Sequence, residues 1–425
     1  MYHWLQLSAS MHPDRVALVD AGVEVTYSEL VTRARAVTYG LSERGVKVGD
    51  HVALALPAGT DFVAAVHGCW FAGAVPVPVD LRLSPEERAT RAGAAPVVDR
   101  PLSGRARAAS VVGLELDSVA TVMHTSGTTA APRRIALTYG NWLWSALGSA
   151  VALGLDRDER WLCPMPLVHV GGLSIPIRSA IYGTTAVLHE RFDTEAVLAM
   201  LMDREQRITV VSLVPTMLAR LLEAGLRRPP TLRWALVGGG PTADMLLERA
   251  RAAGVPVAPT YGMTEACSQI ATHGWPLTGL EIRIHEDGEI VVRGPTVAPG
   301  SLAPDGWLHT GDLGRFAEHS RLAITGRKAD TIITGGENVA PTEVEAVLLA
   351  HPAIADAAVH GRSDAQWGEA VVATVVPRDG AVVDEQELRA FCARRLAPYQ
   401  VPKAVQFAAE LPRTASGKLL RRRLS

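Results

Sequence analysis

The sequence predicts an α/β protein with a large N-terminal domain of layered α/β sheets, a β-rich subdomain and a small α+β C-terminal domain. Three observations predict this architecture. Short apolar runs alternate with helical patterns over the first three quarters of the chain, which is typical of parallel βαβ units. Period-two alternation begins near residue 280, and the composition changes again after residue 326. A chain of 425 residues is also too long for one ordinary hydrophobic core.

Composition and charge argue against several classes of protein. The chain has 42 Lys and Arg against 44 Asp and Glu, which leaves a formal net charge of -2. Such a balance gives no overall field that would attract nucleic acid or an anionic membrane. The four cysteines are far apart, which disfavours a zinc site or disulfide framework and indicates a reducing compartment. Because neither a secretory signal nor a membrane span is recognisable, we expect a cytoplasmic protein without membrane insertion.

Helix and strand signals support the α/β layers in chain order. Thr26 and Glu29 form a capping box that predicts a helix to about Glu43, and Ser84 with Glu87 predicts a second one. The alternation then predicts strands over 52–56, 75–79, 185–188, 209–213 and 234–238 and near Trp161, with helices over 61–71, 175–182, 195–203 and 216–223 and from about Asn141. Residues 88–109 remain unassigned.

The last third of the chain predicts two further units. Alternating residues 281–285 and 289–292 flank Glu286, Asp287 and Gly288, and this pattern predicts a hairpin in a β-rich subdomain. Beyond residue 330 the pattern predicts helices over 342–350 and 385–396 and strands over 355–360 and 371–377. We therefore expect an N-terminal domain over 1–326, a hinge over 327–330 and a C-terminal domain over 331–425.

A polar turn follows a predicted strand over residues 119–124. It contains Thr125, Ser126, Gly127, Thr128 and Thr129 and precedes a proline and two arginines. Hydroxyls and glycine N–H groups are short donors for phosphate oxygens, and arginines would neutralise the phosphate charge. The spacing is not that of a Walker loop, because no Gly-Lys-Ser/Thr follows. The turn indicates a phosphate grip, with an ordinary polar loop as the alternative.

Two later clusters suit a nucleotide. A predicted strand ends in three glycines, residues 238–240, followed by Pro241. Without side chains the backbone allows a flat ring to approach closely, but such a segment is equally typical of a simple turn. Residues 260–265 then offer Tyr261 for stacking, Thr264 for a phosphate oxygen and Glu265 as a carboxylate for Mg²⁺. The alternative is that Glu265 only caps or solvates the start of a helix.

Two more clusters lie near the predicted hinge and the C-terminus. Asp312 can accept hydrogen bonds from both ribose hydroxyls, and Arg327 can donate to the same sugar, although either could be an ordinary surface charge. Lys418 lies in a Thr-Ala-Ser-Gly-Lys segment close to the arginines at 421–423. Taken alone, such a lysine is usually solvated.

In order and content these clusters resemble the acyl-adenylate-forming superfamily over nearly the whole chain. Residues 166–174, Arg178, residues 182–183 and 187–192, with 261–269 and 335–345, are most similar to the o-succinylbenzoate-CoA ligases of menaquinone synthesis. The resemblance implies an ATP-dependent acid-CoA ligase that makes an acyl-AMP and passes the acyl group to CoA. It implies ATP, Mg²⁺, CoA and a small carboxylic acid as ligands, a mobile C-terminal domain, and a homodimer as the candidate assembly.

The resemblance also implies roles for individual residues. Lys418 would be the catalytic lysine, Thr264 would serve the α-phosphate, Glu265 the metal, and His169 the gate between the acyl site and the thiol tunnel. Arg178, with Ser174 assisting, is our candidate to hold the second carboxylate of o-succinylbenzoate, with a solvent-facing Arg178 as the alternative; Gly238 is a further candidate to bind the acid. The remaining nucleotide and CoA residues are the ATP loop Thr125, Ser126, Gly127, Thr128 and Thr129, the adenine shelf Gly239, Gly240, Pro241 and Tyr261 with neighbouring Gly262 and Met263, the ribose pair Asp312 and Arg327, and the CoA approach Gly335, Gly336 and Glu337.

The chain departs from the family pattern in the ATP loop. The usual Gly-x-Pro-Lys-Gly is replaced by a segment with Ala130, Arg133 and Arg134. The compact ammonium group of the lysine is thus replaced by the planar guanidinium of Arg133. Segments after Ser84, between 269 and 280, and between 294 and 307 are also trimmed. Two alternative functions stay open at this stage: a CoA ligase for another aromatic or medium-chain acid, and a non-catalytic nucleotide-binding relative.

Overall fold

The computed structural model describes residues 1–102, 111–125, 133–413 and 419–424. Within these ranges the chain forms eleven α-helices and 23 β-strands. The helices are α1 Trp4–Met11, α2 Tyr27–Glu43, α3 Thr60–Phe71, α4 Pro85–Ala92, α5 Tyr139–Leu153, α6 Val170–Tyr182, α7 Thr194–Met202, α8 Pro215–Glu223, α9 Asp244–Ala252, α10 Pro341–Leu349 and α11 Glu385–Ala393.

The strands fall into five sheets. Their bounds are β1 Val16–Asp20, β2 Val23–Thr26, β3 His51–Leu54, β4 Val75–Pro78, β5 Val97–Val98, β6 Val119–Thr125, β7 Arg133–Thr138, β8 Arg160–Cys163, β9 Thr185–Leu188, β10 Val210–Leu213, β11 Trp234–Val237, β12 Val257–Met263, β13 Ser268–Thr272, β14 Trp275–Pro276, β15 Glu281–Ile284, β16 Glu289–Arg293, β17 Leu308–Phe316, β18 Leu322–Arg327, β19 Ile332–Thr334, β20 Glu337–Val339, β21 Ile354–Asp364, β22 Gly368–Pro377 and β23 Ala404–Phe407.

A nine-stranded sheet is the largest layer. Its order is β14-β13-β12-β11-β10-β8-β9-β1-β2. The six strands from β12 to β1 in this order run parallel, while β13, β14 and β2 add antiparallel edges. The carboxyl ends of the parallel strands therefore open on one side of the sheet, which is where α/β proteins bind ligands.

Three smaller sheets complete the part of the chain before residue 330. Strands β4, β3 and β5 are parallel, and β6 pairs with β7 as an antiparallel hairpin. Strands β15 to β18 form an antiparallel sheet, as the period-two pattern predicts. The largest apolar core joins α2, α3 and α5 to the sheets around Trp70 and Trp142, both of which are buried.

The chain after residue 330 has its own sheet and core. The order is β20-β19-β22-β21, and β23 pairs in parallel with residues 372–375 of β22. Helices α10 and α11 cover this sheet, and Val344, Leu348 and Leu388 join its buried side chains in a separate cluster. This cluster shares no residue with the core around Trp70.

Most predicted elements form close to their predicted positions. The capping boxes of Thr26 with Glu29 and of Ser84 with Glu87 both begin helices. Helix α5, predicted from about Asn141, begins at Tyr139, where Thr138 and Asn141 form a further capping box. One predicted start is wrong: α6 begins at Val170, five residues before the predicted start. The last helix ends at Ala393 rather than at residue 396.

Candidate active site

A deep cleft opens at the carboxyl ends of the parallel strands. Its volume is about 1170 Å³. The loops after β8, β9, β10 and β11, together with β6, β12 and β17, supply its walls. Arginines outnumber acidic residues along the walls described, so the cleft favours anionic ligands. The sequence-predicted residues that line it are Thr125, His169, Ser174, Arg178, Gly238, Gly239, Gly262, Met263, Thr264, Glu265 and Arg327.

The predicted phosphate loop borders this cleft at both ends. Thr125 ends β6 and lies opposite Arg133, the first residue of β7, across the hairpin. Both residues line the cleft. Ser126, Gly127, Thr128 and Thr129 fall outside the described residues, and so does Lys418. Their predicted roles therefore stay predictions.

A tight turn between β12 and β13 presents Thr264 and Glu265 to the cleft. The turn fits because Gly262 lies against β13, where a Cβ atom would be 1.7 Å from the Ser268 carbonyl oxygen. Cys267 and Ser268 have φ angles of +50° and +91°, a conformation that side-chain-bearing residues rarely adopt. The backbone is thus held in an unfavourable geometry where Glu265 points into the cleft, as is common at functional sites.

The carboxylate of Glu265 already has a cationic partner. Arg133 donates from Nη2 to Oε1 of Glu265 over 2.8 Å. The Glu265 side chain is only 11% exposed, whereas that of Arg133 is 69% exposed. The strand after the phosphate loop and the Glu265 turn are therefore tied together by one charge-assisted hydrogen bond.

Asp312, Arg327 and Tyr261 form a second polar group beside the cleft. Asp312 lies opposite Arg327 across β17 and β18, and Nε of Arg327 is 2.9 Å from Oδ1 of Asp312. The hydroxyl of Tyr261 donates to Oδ2 over 2.9 Å. Burial and the Asp312 charge raise the pKa of Tyr261, so its hydroxyl stays a donor at neutral pH. Each oxygen of Asp312 keeps a lone pair that could accept from a ribose hydroxyl.

The glycine-rich segment after β11 is only partly in the cleft. Gly238 and Gly239 line it, but Gly240 and Pro241 are exposed and are not among the lining residues. Gly238 lies against Thr260, with a hypothetical Cβ atom 2.8 Å from the Thr260 carbonyl oxygen. A side chain at position 238 would therefore push β11 and β12 apart at the edge of the site.

Arg178 lies at the base of the cleft. It is 1% exposed, which contradicts the alternative of a solvent-facing side chain. Its Nη2 donates to the Ser145 hydroxyl over 2.9 Å, and its guanidinium lies over the ring of Trp161. No acidic residue in the described ranges pairs with it, and its Nε has no hydrogen-bond partner there. Burial lowers the pKa of this arginine, yet a guanidinium keeps its proton in proteins.

A buried cation without a counter-ion is costly. Moving an unpaired charge into a protein interior costs several kcal/mol, about 3 to 5 when a partner is removed from a buried pair. The Ser145 hydroxyl and the Trp161 ring offset only part of this cost. An anion bound in the cleft beside Arg178 would offset this cost, because it would supply the missing counter-charge.

His169 and Ser174 lie close to Arg178 in the chain. His169 precedes α6, and its Nε2 is 3.3 Å from Nη2 of Arg82. Arg82 in turn donates two hydrogen bonds to the carboxylate of Asp80. Burial lowers the pKa of His169 and the charge of Arg82 lowers it further, so the ring is neutral at pH 7. Ser174 is buried and donates its hydroxyl to the Gly171 carbonyl over 2.9 Å. It would have to rotate before it could donate to a bound carboxylate.

The residues of the predicted hinge contact both parts of the chain. Lys328 bonds to Asp287 over 2.5 Å and to Glu289 over 3.1 Å, both near the β15–β16 turn. Asp330 pairs instead with Arg421 over 2.9 Å, and Arg421 also binds Glu345 of α10. Ala329 lies between the two sets of contacts.

The predicted CoA approach lies apart from the cleft. Gly335, Gly336 and Glu337 occupy the exposed turn between β19 and β20 and are not among the lining residues. Gly335 is backed by Trp367, whose ring a Cβ atom would approach to 3.0 Å. In the described arrangement these residues do not meet His169 or Arg178.

The side chains at the cleft fit a magnesium ion that arrives with a nucleotide. Among the described residues no group of three or more His, Cys, Asp or Glu could hold a metal by itself. Mg²⁺ commonly uses one or two carboxylates and completes its shell with phosphate oxygens and water. Glu265, a nearly buried carboxylate facing the cleft, is the residue that would supply the one protein ligand that this arrangement needs.

Sequence reasoning missed three of the groups just described. Ser145 contacts Arg178, which is 33 positions away, and Arg82 contacts His169, which is 87 positions away, while Asp80 binds Arg82; no local pattern marks the long-range pairs. The pairing of Arg133 with Glu265 spans 132 positions and was also missed.

In the described part of the chain, no helix has the length and apolar character that a bilayer span requires.

Comparisons with known proteins give consistent matches. The profile of the AMP-binding enzyme family matches residues 5–98 and 94–302, and that of the AMP-binding enzyme C-terminal domain matches 343–418. The 2-succinylbenzoate–CoA ligase of Bacillus licheniformis is 40% identical, with 99% of each chain covered. Among solved structures, o-succinylbenzoate CoA synthetase from Bacillus subtilis in complex with its acyl-adenylate intermediate has a TM-score of 0.92 at 36% identity, covering 100% of this chain and 98% of the other. The same Bacillus subtilis enzyme with ATP and a magnesium ion gives 0.91 at 36% identity, with 99% of each chain covered.

Proposed function

The chain belongs to the AMP-binding enzyme family, and on this premise we propose that it joins 2-succinylbenzoate to CoA at the expense of ATP in menaquinone biosynthesis. It is an AMP-forming acid–thiol ligase that uses ATP with Mg²⁺ and takes CoA as co-substrate. The relatives with this activity are similar over the full length of both chains.

The observation that supports this substrate is the unpaired cation of Arg178. 2-Succinylbenzoate has two carboxylates, of which only one reacts. The other carboxylate loses its hydrating water when it enters the cleft, so it needs a positively charged partner there. Arg178 is buried, lines the cleft and has a free Nε, so it can form a charge-assisted hydrogen bond to that carboxylate. A monocarboxylic acid would leave this cation unpaired.

The first reaction brings two anions together. A carboxylate oxygen of the acid attacks the α-phosphorus of ATP, the bond to the β-phosphate oxygen breaks, and pyrophosphate leaves. In this step Thr264 would donate to the α-phosphate, Asp312 with Arg327 would hold the ribose, and Glu265 would hold the metal; Thr264 and Glu265 line the cleft, and Asp312 pairs with Arg327. Mg²⁺ neutralises phosphate charge when bound. We assign the bridge between the two anions to Lys418, on the family resemblance.

The second reaction replaces AMP by a thiol. The sulfur of CoA attacks the acyl carbonyl, AMP departs as the leaving group, and the thiol proton is lost to water. One arrangement of the lysine-bearing segment cannot serve both steps, because the thiol must approach the carbonyl that the lysine contacts. We propose that the domain over 331–425 rotates about the hinge over 327–330 and brings Gly335, Gly336 and Glu337 toward CoA. His169 is neutral and lies beside Arg82. We place it between the acyl site and the tunnel through which the thiol enters.

A panel of acids tests the substrate directly. Pyrophosphate release is measured with 2-succinylbenzoate, 4-oxo-4-phenylbutanoate, benzoate and a medium-chain fatty acid, each with and without CoA. We expect 2-succinylbenzoate to give the highest kcat/KM and to need CoA for sustained turnover. Preference for a monocarboxylate would favour the other CoA ligases, and absence of release with every acid would contradict the ligase function.

Two further expectations belong to this proposal. We expect a homodimer and a cytoplasmic location, both on the family resemblance. Light scattering coupled to size-exclusion chromatography checks the first, and fractionation of the native host checks the second.

A further inference from the structure

The bond between Arg133 and Glu265 has a consequence for nucleotide binding. Glu265 is the carboxylate assigned to the metal, and in this structure a guanidinium of the chain itself bonds to it over 2.8 Å. Arg133 contacts only Oε1 of Glu265, but its positive charge repels a divalent cation placed on the same carboxylate. Binding of the metal-loaded nucleotide therefore favours the departure of Arg133 from Glu265.

The two side chains differ in how freely they can move. Glu265 is nearly buried and is held in the strained turn before Cys267 and Ser268. Arg133 is 69% exposed, lines the cleft and bonds to Glu265 through one of its nitrogens. In the described ranges no second acidic residue pairs with it. Arg133 is thus the partner that can leave while Glu265 stays in place.

The position of Arg133 gives it a second anionic partner. It is the first residue of β7 and lies opposite Thr125 across the hairpin, so it borders the loop predicted to hold the phosphates. A guanidinium has five donors in a fork that matches phosphate oxygens as well as carboxylates. A small rotation of the long side chain could exchange one anion for the other.

We propose that Arg133 is a resident counter-ion of Glu265, which it releases to the divalent cation as it moves onto the polyphosphate of ATP. This inference rests on the proposed function, because it takes the ligand to be a metal-bound nucleoside triphosphate. In the nucleotide-free protein Arg133 neutralises the nearly buried carboxylate. Without the metal it screens the repulsion between Glu265 and the incoming phosphates, which an exposed lysine with a compact charge does less completely.

The test is a calorimetric titration with α,β-methylene ATP, which is not cleaved at the reacting bond. The quantity of interest is the ratio of the Kd without Mg²⁺, in EDTA, to the Kd with Mg²⁺. In Arg133→Gln no protein cation separates Glu265 from the phosphates, so metal-free binding weakens more than metal-bound binding. We expect the ratio to rise about tenfold or more over that of the wild type, the effect of one charge-assisted hydrogen bond.

Two matched variants control for charge and geometry. Arg134→Gln removes the neighbouring charge, whose side chain contacts His51 rather than Glu265, and we expect the wild-type ratio. Arg133→Lys keeps the charge, and we expect a ratio between those of the wild type and Arg133→Gln. Thermal unfolding of each variant shows whether it folds, which is expected for exposed positions.

Glu265→Gln separates this inference from the proposed function. We expect it to lower the ratio and to remove the effect of Arg133→Gln when the two are combined. An unchanged ratio in Arg133→Gln, with a lowered one in Glu265→Gln, overturns the exchange alone. An unchanged ratio in Glu265→Gln overturns the metal assignment and the exchange together.

Discussion

At the scale of single residues, two buried side chains with incomplete hydrogen bonding have different meanings. Arg178 lines the cleft, so a ligand bound there lies beside its guanidinium. His67 is buried between helices, with Nε2 unpaired and Trp70 against its ring. Burial and the charge of His3 lower the pKa of His67 to about 3. The first residue is poised for a ligand, and the second can only affect stability.

His67 makes stability depend on pH in a defined direction. Its pKa is about 3 in the folded state and about 6.5 in the unfolded state, so the unfolded chain binds more protons at mildly acidic pH. Stability is therefore lost as the pH falls below 6.5. In His67→Gln the loss of unfolding free energy between pH 7.5 and 5.0, measured in urea, should be smaller by about 2 kcal/mol. The same loss in the variant and the wild type would contradict this assignment.

For individual site residues, the sequence predicted the residue type and its place in the order of motifs, but not its burial or its contacts. The position of Arg178 was predicted, but its burial was not, because Pro176 and the two glycines at the start of α6 made the helix phase uncertain. Its partner Ser145 lies on α5, and only the packing of α5 against α6 brings the two together.

At the scale of elements, local signals predicted the starts of helices where a capping box is present. They failed at α6, whose N-terminus has no side-chain cap. Its first turn instead packs against the preceding loop: at Gly172 a Cβ atom would lie 2.3 Å from the Pro166 carbonyl oxygen. That loop lines the cleft and leads to His169, so the glycine sets the position of part of the acid site.

Adjacent glycines give a matched test of this packing. Gly172→Ala forces the Pro166 carbonyl to move, and we expect destabilisation of about 1–3 kcal/mol together with a raised KM for the acid. At Gly171 a Cβ atom would meet only the end of the Met165 side chain, at 3.6 Å. Gly171→Ala should therefore be neutral, or stabilising by up to about 1 kcal/mol through helix propensity. Equal effects of the two changes on urea unfolding would show that the loop does not need Gly172.

At the scale of the whole molecule, motifs that are far apart in the chain come together in one cleft. Residues after β8, β9, β10, β11 and β12 meet because parallel strands end at one side of the sheet, and the end of β6 joins them at the cleft. The alternation of elements predicts this arrangement in outline. It does not predict the strand order, the contact between Arg133 and Glu265, or the salt bridges at the hinge, because these depend on pairs that are far apart in the chain.

The salt bridges around the predicted hinge indicate where a pivot would lie. Lys328 is held by Asp287 and Glu289, and Asp330 is held by Arg421, so Ala329 is the position left to rotate. Proline at 329 disfavours the helical conformation that Lys328 has in this turn. Ala329→Pro should slow thioester formation more than adenylate formation in single-turnover experiments. Ala329→Gly is the control and should leave both rates nearly unchanged; equal slowing of both steps by proline would contradict a pivot here.

The central claim is that Arg178 pairs with the carboxylate of the substrate that does not react. The most direct measurement is kcat/KM for 2-succinylbenzoate and for 4-oxo-4-phenylbutanoate, which lacks the ring carboxylate, in the wild type and Arg178→Gln. Thermal unfolding confirms that the variant folds. We expect the preference for the dicarboxylate to fall by about 1.5–3 kcal/mol, the free energy of a hydrogen bond to a charged group. A variant that keeps the wild-type preference would contradict the claim.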